Sequence, residues 1–284
     1  MATWKLVVAY DGARFSGWQR QSATRHEGEA PAQASRERTV QETLEVALRT
    51  LFGGEVITVH GSGRTDAGVH AVGQLVSFRA QAPRAPDRVR MGLNTLLPPD
   101  VAVTFAGLVD DDFHARRSAT NKLYRYTVLA RPDRDPFWWD RAWHVRFAID
   151  WGAVDACLAR YVGTHEFRGF RAAGCTMKRT VRTITRAERR CEGDLHRLEF
   201  EGPGFLRYQV RILSGTAIDV GLGLRTLADV DIALATGVRE RAGRTAPPHG
   251  LTLVRVDYRA SSAGEEPRHR GADDEQEPAE DDEG

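Results

Sequence analysis

In the stretch GSGRTDAGVHAVGQ, Gly61–Gln74, neither a helical nor a strand period runs up to Gly68. Gly61, Gly63, Ala67 and Gly68 surround one arginine, one threonine and one aspartate, Asp66. Small residues without apolar spacing build no core, so the stretch reads as a loop between two strands. Strands are predicted on either side, at 55–60 and 73–79. Before the first strand, Thr39 and Glu42 have the T-x-x-E spacing of a capping box. Val40, Leu44, Ala47, Leu48, Leu51 and Phe52 then recur at helical spacing until Gly53-Gly54. Leu6–Tyr10 is an opening strand that ends at Asp11-Gly12. After the second strand, a short helix over 87–96 stops at Pro98-Pro99, and a strand follows at 101–107. The order is β-α-β-β-α-β.

The remainder repeats this order. A strand is predicted over 123–130. Asp150 caps a helix that carries Val154, Cys157, Leu158 and Tyr161 on one face. Strands follow near 180–190 and 195–202. A helix over 207–219 presents Val210, Leu213, Ala217 and Val220, an extra helix lies near 226–236, and a last strand spans 251–258. The fold class is therefore α+β: two ferredoxin-like βαββαβ halves forming one extended, mostly antiparallel sheet with a central basic cleft. The expected units are 1–108, which carries the Asp66 loop, and 109–260. Within the first, 22–38 lacks large apolar residues and reads as a flexible loop. Residues 261–284 read as a disordered acidic tail.

Composition narrows the function. The 284 residues are 41% hydrophobic and 28% charged, enough for a sizeable core. No stretch approaches a membrane span, and MATWKLVVAYDG lacks a secretory pattern, so a cytoplasmic protein with no membrane partner is expected. Cys157, Cys175 and Cys191 show no CxxC spacing, which suggests reduced structural thiols. The net charge of +1 hides an asymmetry. Residues 261–284 hold ten acidic residues against two arginines, a balance of −8, which leaves +9 on the rest of the chain. A basic body suits a polyanionic partner.

The glycine-rich loop is no phosphate cradle. GxxxxGK[ST] is absent, and Asp66 occupies the third glycine position of GxGxxG. His60, Asp66 and His70 match no common metal-ligand spacing. Two readings remain open: a plain polar turn, or a carboxylate left approachable by small neighbours. An aspartate at its ordinary pKa of about 3.9 is ionised at neutral pH. It could act as a nucleophile without a separate base.

GRTDAGVHAVGQ (63–74) resembles the signature loop of the TruA family of tRNA pseudouridine synthases. Further segments resemble the family in the same order: YDGARFSGWQRQ (10–21), RTVQETLEVAL (38–48), FHARRSAT (113–120), YRY (124–126), GFLRYQVRILSG (204–215) and GLTLVRVDY (250–258). The long 22–38 loop and the acidic tail depart from the pattern.

The resemblance implies conversion of uridine to pseudouridine at positions 38, 39 and 40 of the tRNA anticodon stem-loop, by a homodimer. No cofactor and no metal are implied, because the reaction conserves atoms. Asp66 is implied as the essential nucleophile, attacking the sugar or the uracil ring, or acting as a base in a glycal route. Arg211 is implied as its opposing cation. Tyr124 would stack on uracil and assist removal of the C5 proton. Arg64 would help displace the base from its stack, a cost of roughly a few kcal/mol. Arg20, Arg116, Arg117 and Lys122 would hold phosphates, or serve as ordinary surface charge. Tyr126 reads as core. A catalytically silent RNA-binding module on the same fold is the rival reading; the joint presence of Asp66, Tyr124 and Arg211 argues against it. A synthase acting on another RNA would share fold and chemistry.

Overall fold

A computed structural model describes residues 1–19, 38–81, 84–172, 174 and 177–259. The acidic tail, Arg20, Cys175 and the expected loop at 22–38 apart from Arg38 lie outside the described residues.

The first half runs β1 (Ala2–Tyr10), α1 (Val40–Leu51), β2 (His60–Gly61), β3 (His70–Ala80), α2 (Pro86–Leu96) and β4 (Val101–Val109). The second runs β5 (Ala119–Ala130), β6 (Trp143–Val145), α3 (Trp151–Tyr161), β7 (Gly163–Glu166), β8 (Val181–Ile184), β9 (Arg186–Glu192), β10 (Leu195–Gly202), α4 (Gln209–Gly221), α5 (Leu227–Thr236) and β11 (Leu251–Tyr258). The main sheet is ordered β4-β1-β3-β11-β5-β10-β9, with β2 on β3 and β6 on β5, while β7 and β8 pair separately. Both halves thus place their strands in one order, β4-β1-β3-β2 and β11-β5-β10-β9. This is the duplicated ferredoxin-like arrangement expected from the pattern. The halves meet where β11 lies parallel to β3, pairing Thr252 with His70 and Leu253 with Ala71. The other pairs along the main path are antiparallel.

Helix α1 shows how sequence becomes packing. The Thr39 side chain accepts a hydrogen bond from the Glu42 N–H at 3.3 Å, and Val40, Leu44, Ala47 and Leu48 are buried. Beside them Trp4 stacks on Phe78 at 6.1 Å, and Phe52 meets both rings edge-on. Thr39→Ala should cost about 1 kcal/mol through the lost cap. The loss should read as a lower urea midpoint at unchanged slope.

Three local expectations change. The strand predicted at 55–60 shrinks to His60–Gly61. Ile57 and Val59 are buried between exposed neighbours, so the alternation was real. However, the Val59 N–H donates to the Glu45 carboxylate of α1 at 3.2 Å instead of entering a ladder. The strand predicted at 180–190 divides into β8 and β9, because both Thr185 donors turn to the Glu201 carbonyl. The helix predicted from Arg207 begins at Gln209, because Tyr208 takes a left-handed backbone, φ 64°. Helix α5 fits its expected range, with a closed capping box between Thr226 and Asp229 and a left-handed Gly237. Among the described residues, no helix is long and apolar enough to cross a membrane.

Candidate active site

The loop between β2 and β3 is tied at several points before Asp66 leaves it. Ser62 Oγ donates to Gln74 Oε1 at 2.6 Å, and Gln74 Nε2 donates to the Gly63 carbonyl at 2.8 Å. Both Ser62 and Gln74 are fully buried. The Trp18 N–H donates to the Thr65 carbonyl, the Gly68 N–H to the Phe15 carbonyl, and the Val69 N–H back to the Asp66 carbonyl. Thr65 Oγ1 also meets the Tyr10 hydroxyl at 2.8 Å. Gly17 permits this approach: its φ is 98°, and a Cβ there would lie 2.8 Å from the Thr65 carbonyl oxygen. The loop is therefore a fixed frame.

From this frame Asp66 Oδ2 lies 3.5 Å from Arg211 Nη1, with 23% of the Asp66 side chain exposed. A carboxylate so placed is enclosed yet reachable. Arg211 is held in turn. Its Nε donates to the Ala246 carbonyl at 2.9 Å, and its guanidinium carbon lies 4.7 Å from the centre of the Tyr208 ring. Burial pushes the Asp66 carboxyl above its ordinary value, opposed first by the charge of Arg211 and then by that of Arg207.

Tyr124 comes from β5. It is 8% exposed and meets Phe205 edge-on at 5.3 Å. Burial raises the pKa of its hydroxyl, with Tyr10 and Asp66 adding to the effect. Gly63 faces the head groups of both Tyr124 and Lys122: a Cβ there would lie 3.2 Å from Lys122 Nζ and 3.9 Å from the Tyr124 hydroxyl.

The structure thus assembles Asp66, Arg211 and Tyr124 in one place. Arg64 sits on the same loop, exposed, with no hydrogen bond or ion pair to a described residue. Arg116 and Arg117 are exposed as well. Lys122 is turned inward: its Nζ donates to the Ser62 carbonyl at 2.9 Å, and burial, with the charge of Arg116, lowers its pKa to about 8. Tyr126 is fully buried and its hydroxyl donates to the Pro247 carbonyl at 2.9 Å, a core residue as expected. His60 and His70 do not converge on Asp66. His60 stacks on His114, while His70 accepts the Gly12 N–H at Nδ1 and faces the Asp140 and His249 carbonyls at Nε2. Among the described residues, no group of three metal-ligating side chains gathers.

Sequence reasoning missed Gln74, Phe205, Arg207 and Tyr208. Only Gln74 left a visible signal, an amide set inside an apolar strand run. The others become apparent only once α4 is placed.

The sequence model of a family described as tRNA pseudouridine synthase matches residues 6–116 and 157–259. A tRNA pseudouridine synthase A of Geobacter sp. (strain M21) is 41% identical over 255 residues, covering 89% of this chain and 98% of that protein. Another, of Citrifermentans bemidjiense, is 42% identical over 255 residues, covering 89% and 96%. A third, of Shouchella clausii, is 39% identical over 258 residues, covering 91% and 94%. The family model takes in the Asp66 loop and Arg211, while Tyr124 lies between its two matched segments; together with the near-complete coverage of these relatives, the match establishes that the chain belongs to the tRNA pseudouridine synthase family, whose members are isomerases.

Proposed function

We propose that this chain converts uridine to pseudouridine in tRNA, at positions 38, 39 and 40 of the anticodon stem-loop, with Asp66 as the essential nucleophile. The observation that carries the reading is the enclosed but reachable Asp66 carboxylate facing Arg211, with Tyr124 beside the same loop. In the reaction the N1–C1′ bond breaks, the uracil turns while bound, C5 bonds to C1′, the C5 proton leaves, and N1 takes up a proton. Atoms balance without a co-reactant.

Each side chain has a part suited to its position. Arg211 opposes the burial that would otherwise protonate Asp66. Tyr124 offers a ring for stacking and a hydroxyl for moving the C5 proton. Arg64, exposed on the same loop as Asp66, helps displace the base from its stack. Arg116 and Arg117 lie free for phosphates along a basic cleft. Residues 1–108 and 109–260 act as the two units flanking that cleft, in a cytoplasmic homodimer that grips tRNA.

The test is tritium release from tRNA labelled at uridine C5, followed by mapping of the modified positions. Release confined to positions 38, 39 and 40 is expected. Binding without release would identify a silent RNA-binding module, and release elsewhere a synthase of different specificity.

Arg211 gives this reading a pH signature. Without the guanidinium, burial of Asp66 is opposed less and its carboxyl rises further. The reaction needs the ionised form, so Arg211→Gln should lose activity at a higher pH than the native enzyme as the solution is acidified. Its rate at pH ~5 relative to pH ~8 should fall by about tenfold or more compared with the native ratio. Single-turnover tritium release across this range measures it.

A further inference from the structure

Tyr208 stands out in the backbone. It is the one non-glycine residue with positive φ among the described residues, and it sits at the entry to α4. For a tyrosine this conformation is strained, and strain of this kind persists only where neighbours over-determine it. They do so here. The Ile212 N–H donates to the Tyr208 carbonyl at 2.9 Å, and the Gln209 N–H to the Leu206 carbonyl at 3.0 Å. The fully buried Gln209 returns its Oε1 to the Leu206 N–H at 2.7 Å. The Arg207 carbonyl is held by the Ala172 N–H at 3.0 Å.

The strained turn delivers a ring to two cations. The guanidinium carbon of Arg211 lies 4.7 Å from the Tyr208 ring centre, and that of Arg207 lies 4.9 Å away. Arg207 also donates to the Tyr208 hydroxyl at 3.3 Å. An ordinary helical φ at 208 would swing the ring out of this place.

We propose that Tyr208 is a positioning residue: its ring, fixed by the left-handed turn, holds the Arg211 and Arg207 guanidinium groups where they face Asp66. It acts through these arginines and touches no reacting atom. The same two arginines are the charges that oppose the rise of the Asp66 carboxyl, so loosening them alters the ionisation of Asp66. The other groups around this cluster are Tyr124 on β5, Tyr10 on β1 through Thr65, and His249, which lies near Arg211 and His70. Lys122 is tied to the Ser62 carbonyl of the loop. Replacing residue 208 alters none of these side chains themselves, and His249 feels the change through the charge of Arg211. The consequence for catalysis rests on the reading of Asp66 as the reactive carboxylate; the positioning itself does not.

The experiment compares Tyr208→Phe, Tyr208→Leu and Tyr208→Gly in the full chain. The Asp66 carboxyl is titrated by carbon-13 NMR on protein labelled at aspartate Cγ, with Asp66→Asn to assign the signal. Single-turnover tritium release is followed over the same pH range. Tyr208→Phe keeps the ring and should titrate like the native protein. Tyr208→Leu keeps bulk without the π-face, and its Asp66 signal should titrate at higher pH. Its rate at pH ~5 relative to pH ~8 should fall by about threefold to tenfold against the native ratio. Tyr208→Gly removes the strain and the ring together, so it should show the same titration change with thermal stability no lower than that of Tyr208→Leu. A residue that only supports the fold would lower melting temperature and depress the rate equally at every pH. An unmoved Asp66 titration in the leucine and glycine variants overturns the proposal, as does a moved one in Tyr208→Phe. A moved titration with an unmoved rate profile upholds the positioning and removes Asp66 from the chemistry.

Discussion

Asp66→Asn is expected to lower single-turnover tritium release by at least ~10,000-fold, the scale on which loss of a nucleophile is felt. Affinity for tRNA should stay within about threefold, because no basic side chain is changed. Asparagine keeps the size of the side chain and can still accept from Arg211, which faces it at 3.5 Å in the native protein. It lacks the charge and the nucleophilic oxygen. Stability supplies a second readout with a defined sign. Burial raises the Asp66 carboxyl in the folded chain above its ordinary value. The folded state therefore favours the protonated form, and ionisation at higher pH costs stability. A neutral asparagine escapes that cost, so the variant should melt at or above the native temperature near neutral pH. Dead and no less stable is the pattern of a residue kept for chemistry. Appreciable tritium release, or a melting temperature several degrees lower, would remove Asp66 from its assigned role.

Tyr124→Phe should lose about 100- to 10,000-fold in the same assay while keeping tRNA affinity. Phenylalanine retains the face that stacks and the edge contact with Phe205. It loses only the hydroxyl that faces Gly63 of the Asp66 loop. Tyr126→Phe is the comparison from the same strand, with a difference that the structure makes explicit. The Tyr126 hydroxyl donates to the Pro247 carbonyl, so removing it leaves a buried acceptor unpaired and should cost about 1 kcal/mol of stability. Its chemical step should be unchanged. A Tyr124→Phe rate within about threefold of native, under ~1 kcal/mol of barrier, would leave Tyr124 as a stacking surface alone.

How far the sequence could be read follows from the range of each interaction. Helix α1 was legible because its cap and apolar stripe are local, and Thr39 and Val40 through Leu48 behave as their spacing says. The repeated strand order was legible because turns and alternation mark each strand. The shortening of β2 was not, because burial of Ile57 and Val59 writes the same alternation as a paired strand would. Only the Glu45 carboxylate, brought in by α1, shows where the Val59 amide goes. At the site, Asp66 was visible from its bare surroundings, and Arg211 and Tyr124 through family resemblance. Lys122 was misleading for a physical reason: a lysine in a strand reads as solvated, yet here a loop carbonyl captures its ammonium. Tyr208 was illegible because a left-handed tyrosine has no signature of its own; the surrounding turn imposes it.

The join between β3 and β11 has a bearing on the life of the molecule before it works. Asp66 enters from the first half-sheet, whereas Tyr124 and Arg211 belong to the second, Arg211 after most of the chain has been laid down. Pairings so distant along the chain form late and slowly. Until β11 settles beside β3 and the Arg211 main chain engages Ala246, the Asp66 carboxylate lacks its opposing cation. A chain in which the two half-sheets have not joined holds Asp66 apart from Arg211. The Asp66–Arg211 pair is thus complete only once the two half-sheets have joined.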